Sequence, residues 1–314
     1  MSVVQPNQMD FSAKKFSMIV SGSPGIGKTT LALSAPDPIL IDVDRGISRV
    51  QARHRKPAII GDTYEEILSD ITSSPEVKAA QTLIVDTGGA FVTLLQDWAM
   101  RQNPTVNRQK NGAISLKGFG AVKAEFTRFT NLLQYTMDKN IIYVFHTLEE
   151  RDDDTTKQRL MCEGAARNIV WQPCDLGCHL QLVGDKRFMG FTPTEQYFAK
   201  GCYGIKGLIE VPELTDDIPN NLISLLFDQA RANIANENRF FEAEKERYDS
   251  AVRQADELID TVVDDESAKA AAQQIKKIPH ALTSEREARA KFAKRIKSLG
   301  LKWDKERREY IGHD

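Results

Sequence analysis

Short apolar runs alternate with stretches of helical period over the first two thirds of the chain. Residues 16–21, 39–43, 83–86, 141–146 and 180–183 read as strands, and several are apolar on successive positions, the pattern of strands buried on both faces of a sheet. Between them, residues 64–71, 90–100 and 119–137 carry apolar side chains at helical spacing. Strands alternating with helices predict an α/β fold, a doubly wound and mostly parallel sheet over residues 16–228, after an N-terminal arm at residues 1–15. The pattern changes after residue 228: glycine and proline almost vanish while Ala, Glu, Lys and Arg dominate. A helical, charged C-terminal extension over residues 229–314 is therefore expected. Its halves differ in sign, with eleven acids and four bases in residues 237–266 but ten bases and five acids in residues 285–309. Pro279 interrupts any continuous helix, so the basic half is expected as a separate small element or a mobile arm.

Composition bounds the functions available. A chain of 314 residues with 41% hydrophobic content can bury one large α/β core and still carry an extension. There is no run of 18 or more apolar residues and no charged-then-apolar leader, so a soluble, cytoplasmic protein without a membrane partner is expected. Its four cysteines suit free thiols in a reducing compartment. The formal charge of -2 gives no overall bias toward nucleic acid, which shifts attention to local clusters.

One segment carries specific chemistry. GSPGIGKTT at residues 22–30 matches G-x-x-x-x-G-K-[ST] and sits after an apolar strand and before a helical run at residues 29–35, where a phosphate-binding loop must lie. Gly22, Gly25 and Gly27 let the backbone of Ser23, Pro24 and Ile26 curl so that N–H groups converge on phosphates, and the following helix is expected to add its positive end. Lys28 would reach the β- and γ-phosphates, the Thr29 hydroxyl would ligate Mg2+, and Thr30 completes the loop. Asp86 closes the apolar strand TLIVD and is the expected second magnesium ligand. A further acid must orient the attacking water. Asp42 and Asp44 lie two apart, on one face of their strand, and Asp44 is preferred as nearer the strand's C-terminal end. A turn aspartate capping the helix after Gly46 is the competing reading.

The ordered set GSPGIGKTT, ILIDVDRG, TLIVDTGG, IIYVFHTLEE, GAARNIV and FAKGCYGIKG resembles the RecA-like P-loop ATPases, in particular the phage-encoded single-strand annealing and recombination proteins, over about residues 14–215. The resemblance implies a minimal RecA core binding ATP and Mg2+, with Asp44 in the place of the catalytic base, where RecA itself carries the longer Glu. His146, ending the strand IIYVF, would take the place of the residue that senses the γ-phosphate, a role suited to an imidazole donor. The resemblance also implies two DNA loops. Arg101, Arg108, Lys110 and Lys117 form a basic cluster with no acid in the first, and Lys157, Arg159 and Arg167 fall in the second, among several acids, where residues 148–169 show no clear periodicity and are expected to be mobile. Lys200 would reach a neighbouring subunit's ATP site in a homo-oligomeric filament or ring. Cys202 stands at the second position of that contact, with Lys206 as its substitute.

Other signals are weaker. Cys174, Cys178 and His179, with Cys162 upstream, do not have a usual zinc spacing and suit a buried strand better. Phe292, Trp303 and Tyr310 in the basic tail fit single-strand stacking or an amphipathic element equally well. The first functional expectation is an ATP-dependent recombinase or annealing protein binding single-stranded DNA, in a bacterial host's cytoplasm if phage-encoded. The alternative is a nucleotide-switched loader or scaffold that binds a replication protein, or a single-strand-binding protein, through its tail. A metabolic kinase is disfavoured because no arginine-rich lid is evident. ATP against GTP, and strand exchange against annealing, stay open.

Overall fold

The computed structural model describes residues 10–152, 155–162, 169–304 and 309–311. Strand β1 (Ser17–Gly22) is buried at every residue, as its near-continuous apolar character requires. It pairs in parallel with β5 (Asn140–Asp152) on one side and β7 (Leu176–Val183) on the other. Beyond β5 the sheet continues through β4 (Thr82–Asp86), β2 (Pro38–Asp42) and the short β3 (Ala58–Ile59), all parallel. Beyond β7 it ends in β8 (Lys186–Gly190) and β9 (Leu208–Val211), both antiparallel to their neighbours. Helices α1 (Lys28–Ala32), α2 (Tyr64–Ser73), α3 (Pro75–Ala79), α4 (Gly88–Gln102), α5 (Pro104–Asn107) and α6 (Leu116–Asn131) fill the connections. This is the α/β, mostly parallel architecture that the alternation of strands and helices predicts.

Aromatic packing holds the helices to the sheet. Phe91 of α4 and Phe129 of α6 are fully buried with ring centroids 4.7 Å apart, and Phe126 lies 4.9 Å from Tyr143 of β5. Tyr64, also buried, donates its hydroxyl hydrogen bond to Glu125, which Arg128 Nε holds at 2.8 Å. Burial by itself would raise the Glu125 carboxyl, but the hydrogen bonds from Arg128 and Tyr64 bring it below the usual glutamate value. A charged group thus enters the core fully partnered.

Three sequence expectations change. Residues 148–160 are not a structureless loop: β5 runs on to Asp152 and pairs antiparallel with β6 (Thr155–Leu160). Between the buried Thr147 and Leu160 at its base, the described side chains of this ribbon are half-buried or exposed, so it carries no apolar alternation and periodicity missed it. Cross-strand neighbours match instead, with Glu150 opposite Lys157 and 3.6 Å from Arg159. Strand β7 begins at Leu176, so Cys178 and His179 belong to it. The helix after the P-loop spans five residues, shorter than the run at residues 29–35 suggested.

The chain divides into two compact units, one formed by Phe11–Asn233 and the other containing Ile234–Asp314. Helix α7 (Leu222–Asp260) begins in the first and supplies the second, which also holds α8 (Asp265–Ile275), α9 (Ser284–Ser298) and the hairpin β10 (Lys302–Asp304) with β11 (Glu309–Ile311). Pro279 falls between α8 and α9, where the break was expected. Ala255, Val262, Ala268, Ala271, Phe292 and Ile296 build this unit's own core. Phe292 is therefore a packing residue, while Trp303 stays half-exposed. The side chain of Tyr310 lies outside the described residues. Among the described residues no helix is long and apolar enough to cross a membrane.

Phe129→Ala should destabilise the first unit by about 3–5 kcal/mol, the usual range for emptying a buried phenylalanine site. Urea unfolding followed by circular dichroism checks it; a loss under about 1 kcal/mol would mean the aromatic cluster is not what ties α6 to the sheet.

Candidate nucleotide site

Strand β1 ends at Gly22, and residues 23–27 turn the chain into α1. At Gly22 an added Cβ would stand 2.7 Å from the Leu180 carbonyl oxygen, so close approach to β7 requires glycine. Gly27 has φ +98°, a left-handed conformation that a side chain would strain. Ser23, Pro24 and Gly25 are exposed, so the loop turns its backbone outward. With only five residues in α1, binding would rest on the N–H groups of the loop and first turn rather than on a long helix dipole.

Lys28 is buried, and its Nζ lies 2.8 Å from the Ser23 carbonyl oxygen and 3.0 Å from His146 Nδ1. An ammonium can only donate, so Nδ1 accepts and the ring proton sits on Nε2. Burial lowers the lysine to about 8, against the pull of Asp86 and Asp44. His146 is lowered too, by burial and then by Lys28, which keeps its ring neutral. Beside them the Thr29 hydroxyl donates to Asp86 Oδ2 at 2.5 Å. Burial pushes the Asp86 carboxyl up to about 6, although the Thr29 hydrogen bond opposes the rise.

Sheet order produces this convergence. Because β5 lies between β1 and β4, and the register sets Gly22 opposite His146 and Asp86 opposite Val144, His146 stands between the P-loop and Asp86. Asp42 and Asp44 do not share a strand face. β2 ends at Asp42, whose carboxylate accepts the N–H groups of Gly46 at 2.7 Å and Ile47 at 3.0 Å. It is Asp42 that caps the following turn. Asp44, carried past the strand, borders the cavity and is held by Arg49 at 3.1 Å. Lys28, Thr29, Asp44, Arg49, Asp86 and His146 surround a cavity of about 160 Å³.

The donor set suits a magnesium-bound phosphate chain. A hydroxyl and a carboxylate in contact are oxygen donors of the kind a hard cation takes, with substrate phosphates and water completing its shell. Among the described residues no group of three or more His, Cys, Asp and Glu side chains could hold a metal on its own. Cys162, Cys174 and Cys178 are buried and form no disulfide among the described residues, and burial raises the latter two. His179 is pushed down to about 4 by burial and then by Lys28. Two residues went unforeseen: Arg49, which positions Asp44, and Arg187, whose Nη1 would stand 2.7 Å from a Cβ at Gly27. Neither belongs to a motif, and only the turn after β2 and the β7–β8 hairpin bring them in.

The remaining candidates lie elsewhere on the first unit. Arg101 pairs with Glu65 at 2.8 Å, and Arg108 Nε donates to the Gly112 carbonyl at 3.2 Å. Lys110 and Lys117 are exposed between α5 and the start of α6. Lys157 and Arg159 are on β6, while Arg167 lies outside the described residues. The Lys200 ammonium donates to the Cys174 carbonyl of its own chain, and Lys206 is exposed.

The sheet and the phosphate cradle at the end of its central strand define a P-loop nucleotide-binding domain. Residues 14–203 match the AAA domain family AAA_24, and the chain belongs to that family. No curated protein matches the sequence. Among solved structures it is similar to the flagellar accessory protein FlaH from Methanocaldococcus jannaschii, at 11% identity and a TM-score of 0.30, over 63% of this chain and 90% of that one. A likeness so slight has no bearing on function.

Asp86→Asn should abolish the magnesium-dependent part of nucleotide binding. In thermal denaturation, the rise in melting temperature that ATP gives with Mg2+ should fall to the level seen with chelator. An undiminished magnesium increment in that variant would remove Asp86 from the metal's shell.

Proposed function

We propose that this chain is an ATPase that couples hydrolysis to binding of single-stranded DNA, working as a recombinase or annealing protein of the phage type in its host's cytoplasm. The observation that carries the ATPase reading is the meeting of Lys28, Thr29, Asp44, Asp86 and His146 around one cavity. Lys28 neutralises charge on the β- and γ-phosphates, and Thr29 with Asp86 would hold Mg2+, which supplies Lewis-acid stabilisation when bound. Asp44, steadied by Arg49, orients a water whose oxygen attacks the γ-phosphorus as the bond to the β–γ bridging oxygen breaks. The neutral His146, with its proton on Nε2, is a donor suited to a phosphate oxygen.

The DNA half of the reading rests on charge and resemblance. The exposed Lys110 and Lys117, with Arg108 near them in the chain, supply phosphate contacts without a nearby acid in sequence. Lys157 and Arg159 add a second set on the ribbon. Assembly as a homo-oligomer would use Lys206 in preference to Lys200, whose ammonium is already engaged within its own chain. The competing reading, a nucleotide-switched loader or scaffold binding a replication protein, draws support from the C-terminal region, which has its own core and charged halves.

ATP turnover measured with and without single-stranded DNA separates the two: stimulation is expected of the recombinase, none of the loader. Lys28→Ala should lower turnover by about 100-fold or more, the scale of losing a principal electrostatic group. Normal hydrolysis in that variant would refute the site. DNA affinity should also fall steeply with salt, and no measurable oligonucleotide binding at low salt with ATP present would end the recombinase reading.

A further inference from the structure

A second cavity, of about 400 Å³, is lined by residues of β1, β5, β6 and β7 near the nucleotide site. Ser21 and Thr147 line it, and they are the immediate neighbours of Gly22 and His146. Successive residues of a strand face opposite ways, so β5 lines the nucleotide cavity with His146 and this one with Thr147. The walls are aromatic. Trp171 and Phe198 meet edge to face at 4.6 Å, and His179 stacks on Tyr197 at 4.6 Å with planes 22° apart. Two glycines make room for them: a Cβ at Gly177 would stand 2.1 Å from the Trp171 ring, and one at Gly190 2.4 Å from the Tyr197 hydroxyl. The shape is built into the backbone.

One polar atom in this cavity lacks a partner among the described residues. Thr147 is 7% exposed, and its Oγ1 finds no hydrogen-bond partner among the described residues. Buried hydroxyls are almost always satisfied, so an orphan beside an open cavity points to a ligand that completes it. Gln158 and Arg159 of β6 also line the space and add donors and an acceptor, and Glu150, 3.6 Å from Arg159, balances the arginine's charge at the rim. Phe198 is 54% exposed at the mouth of the space. The volume is in the range of about 300–1,000 Å³ usual for small-ligand sites.

We infer that this cavity takes an unpaired nucleobase, stacked on the aromatic walls and hydrogen-bonded at its edge by Thr147. Flat aromatic walls, an edge donor–acceptor and a nearby cation are what a base on a phosphate backbone requires, whereas an apolar side chain would leave Thr147 unsatisfied. The inference builds on the DNA-binding reading and makes it more specific. The ribbon of β5 and β6 then holds a base, beyond attracting phosphates. The base has two possible sources, a single strand and a free nucleotide.

The test compares a labelled oligonucleotide of about 20 nucleotides with an abasic one of equal length and charge, by fluorescence anisotropy with ATP present. The normal oligonucleotide should bind about tenfold or more tightly than the abasic one. Phe198→Ala, at an exposed position, and the near-isosteric Thr147→Val should each shrink that ratio while leaving abasic affinity and its salt slope unchanged. A third arm titrates thymidine monophosphate alone. If it binds with the same sensitivity to both variants while the oligonucleotides do not differ, the cavity is a base site for free nucleotides and the strand is not its source. If both oligonucleotides bind equally, neither variant alters them and the monophosphate does not bind, the base site is overturned while DNA binding through phosphates stands. If neither oligonucleotide binds, the DNA reading fails, and the monophosphate arm still decides the cavity.

Discussion

A buried ammonium at the end of the central strand sets the terms for the rest of the domain. Lys28 can remain charged away from water only if acceptors and counter-charges surround it, and these are the Ser23 carbonyl, His146 Nδ1, Asp86 and Asp44. Only Ser23 is near in sequence. The others arrive because β5 is inserted between β1 and β4, and because the turn after β2 swings Asp44 over the loop. A one-residue slip of β5 would send His146 to the opposite face and put Thr147 in its place. The parallel register is thus a condition of the site, held by the aromatic packing of α4 and α6 behind it.

The same register gives the sheet two working faces. His146 and Thr147 are consecutive on β5, so a ligand in the aromatic cavity and a phosphate chain in the P-loop cavity would be read by neighbouring residues of one strand. No long mechanical path is needed to couple them. The exposed ion pairs, such as Arg101 with Glu65 and Arg159 with Glu150, add little stability at about 0–1 kcal/mol each. Their effect is to orient basic side chains, and on the β5–β6 ribbon they offset acids that would otherwise repel a phosphate backbone.

Local patterns carried far in this chain, and failed where the cause lay elsewhere in the fold. The strands at residues 16–21, 39–43 and 83–86 were legible because burial on both faces demands apolar residues in succession. The P-loop was legible because glycine at Gly22 and Gly27 answers a backbone requirement, and a lysine must follow it. The β5–β6 ribbon was not legible, since its half-buried and exposed polar positions leave no apolar trace. Asp42 and Asp44 could not be separated by spacing, because their roles diverge only where the strand stops. Arg49 and Arg187 left no trace, being ordinary surface arginines until the turn after β2 and the β7–β8 hairpin bring them in.

The sequence by itself determined an α/β core, a phosphate loop at its first strand and a helical charged extension, since each depends on residues close together along the chain. Only the tertiary structure decided which aspartate faces the phosphate cavity, that His146 accepts from Lys28, and that Trp171, His179, Tyr197 and Phe198 line a second cavity with Thr147, whose hydroxyl has no partner among the described residues. The physical reason is that strand order and register, set by burial of the whole core, choose which distant side chains share a face.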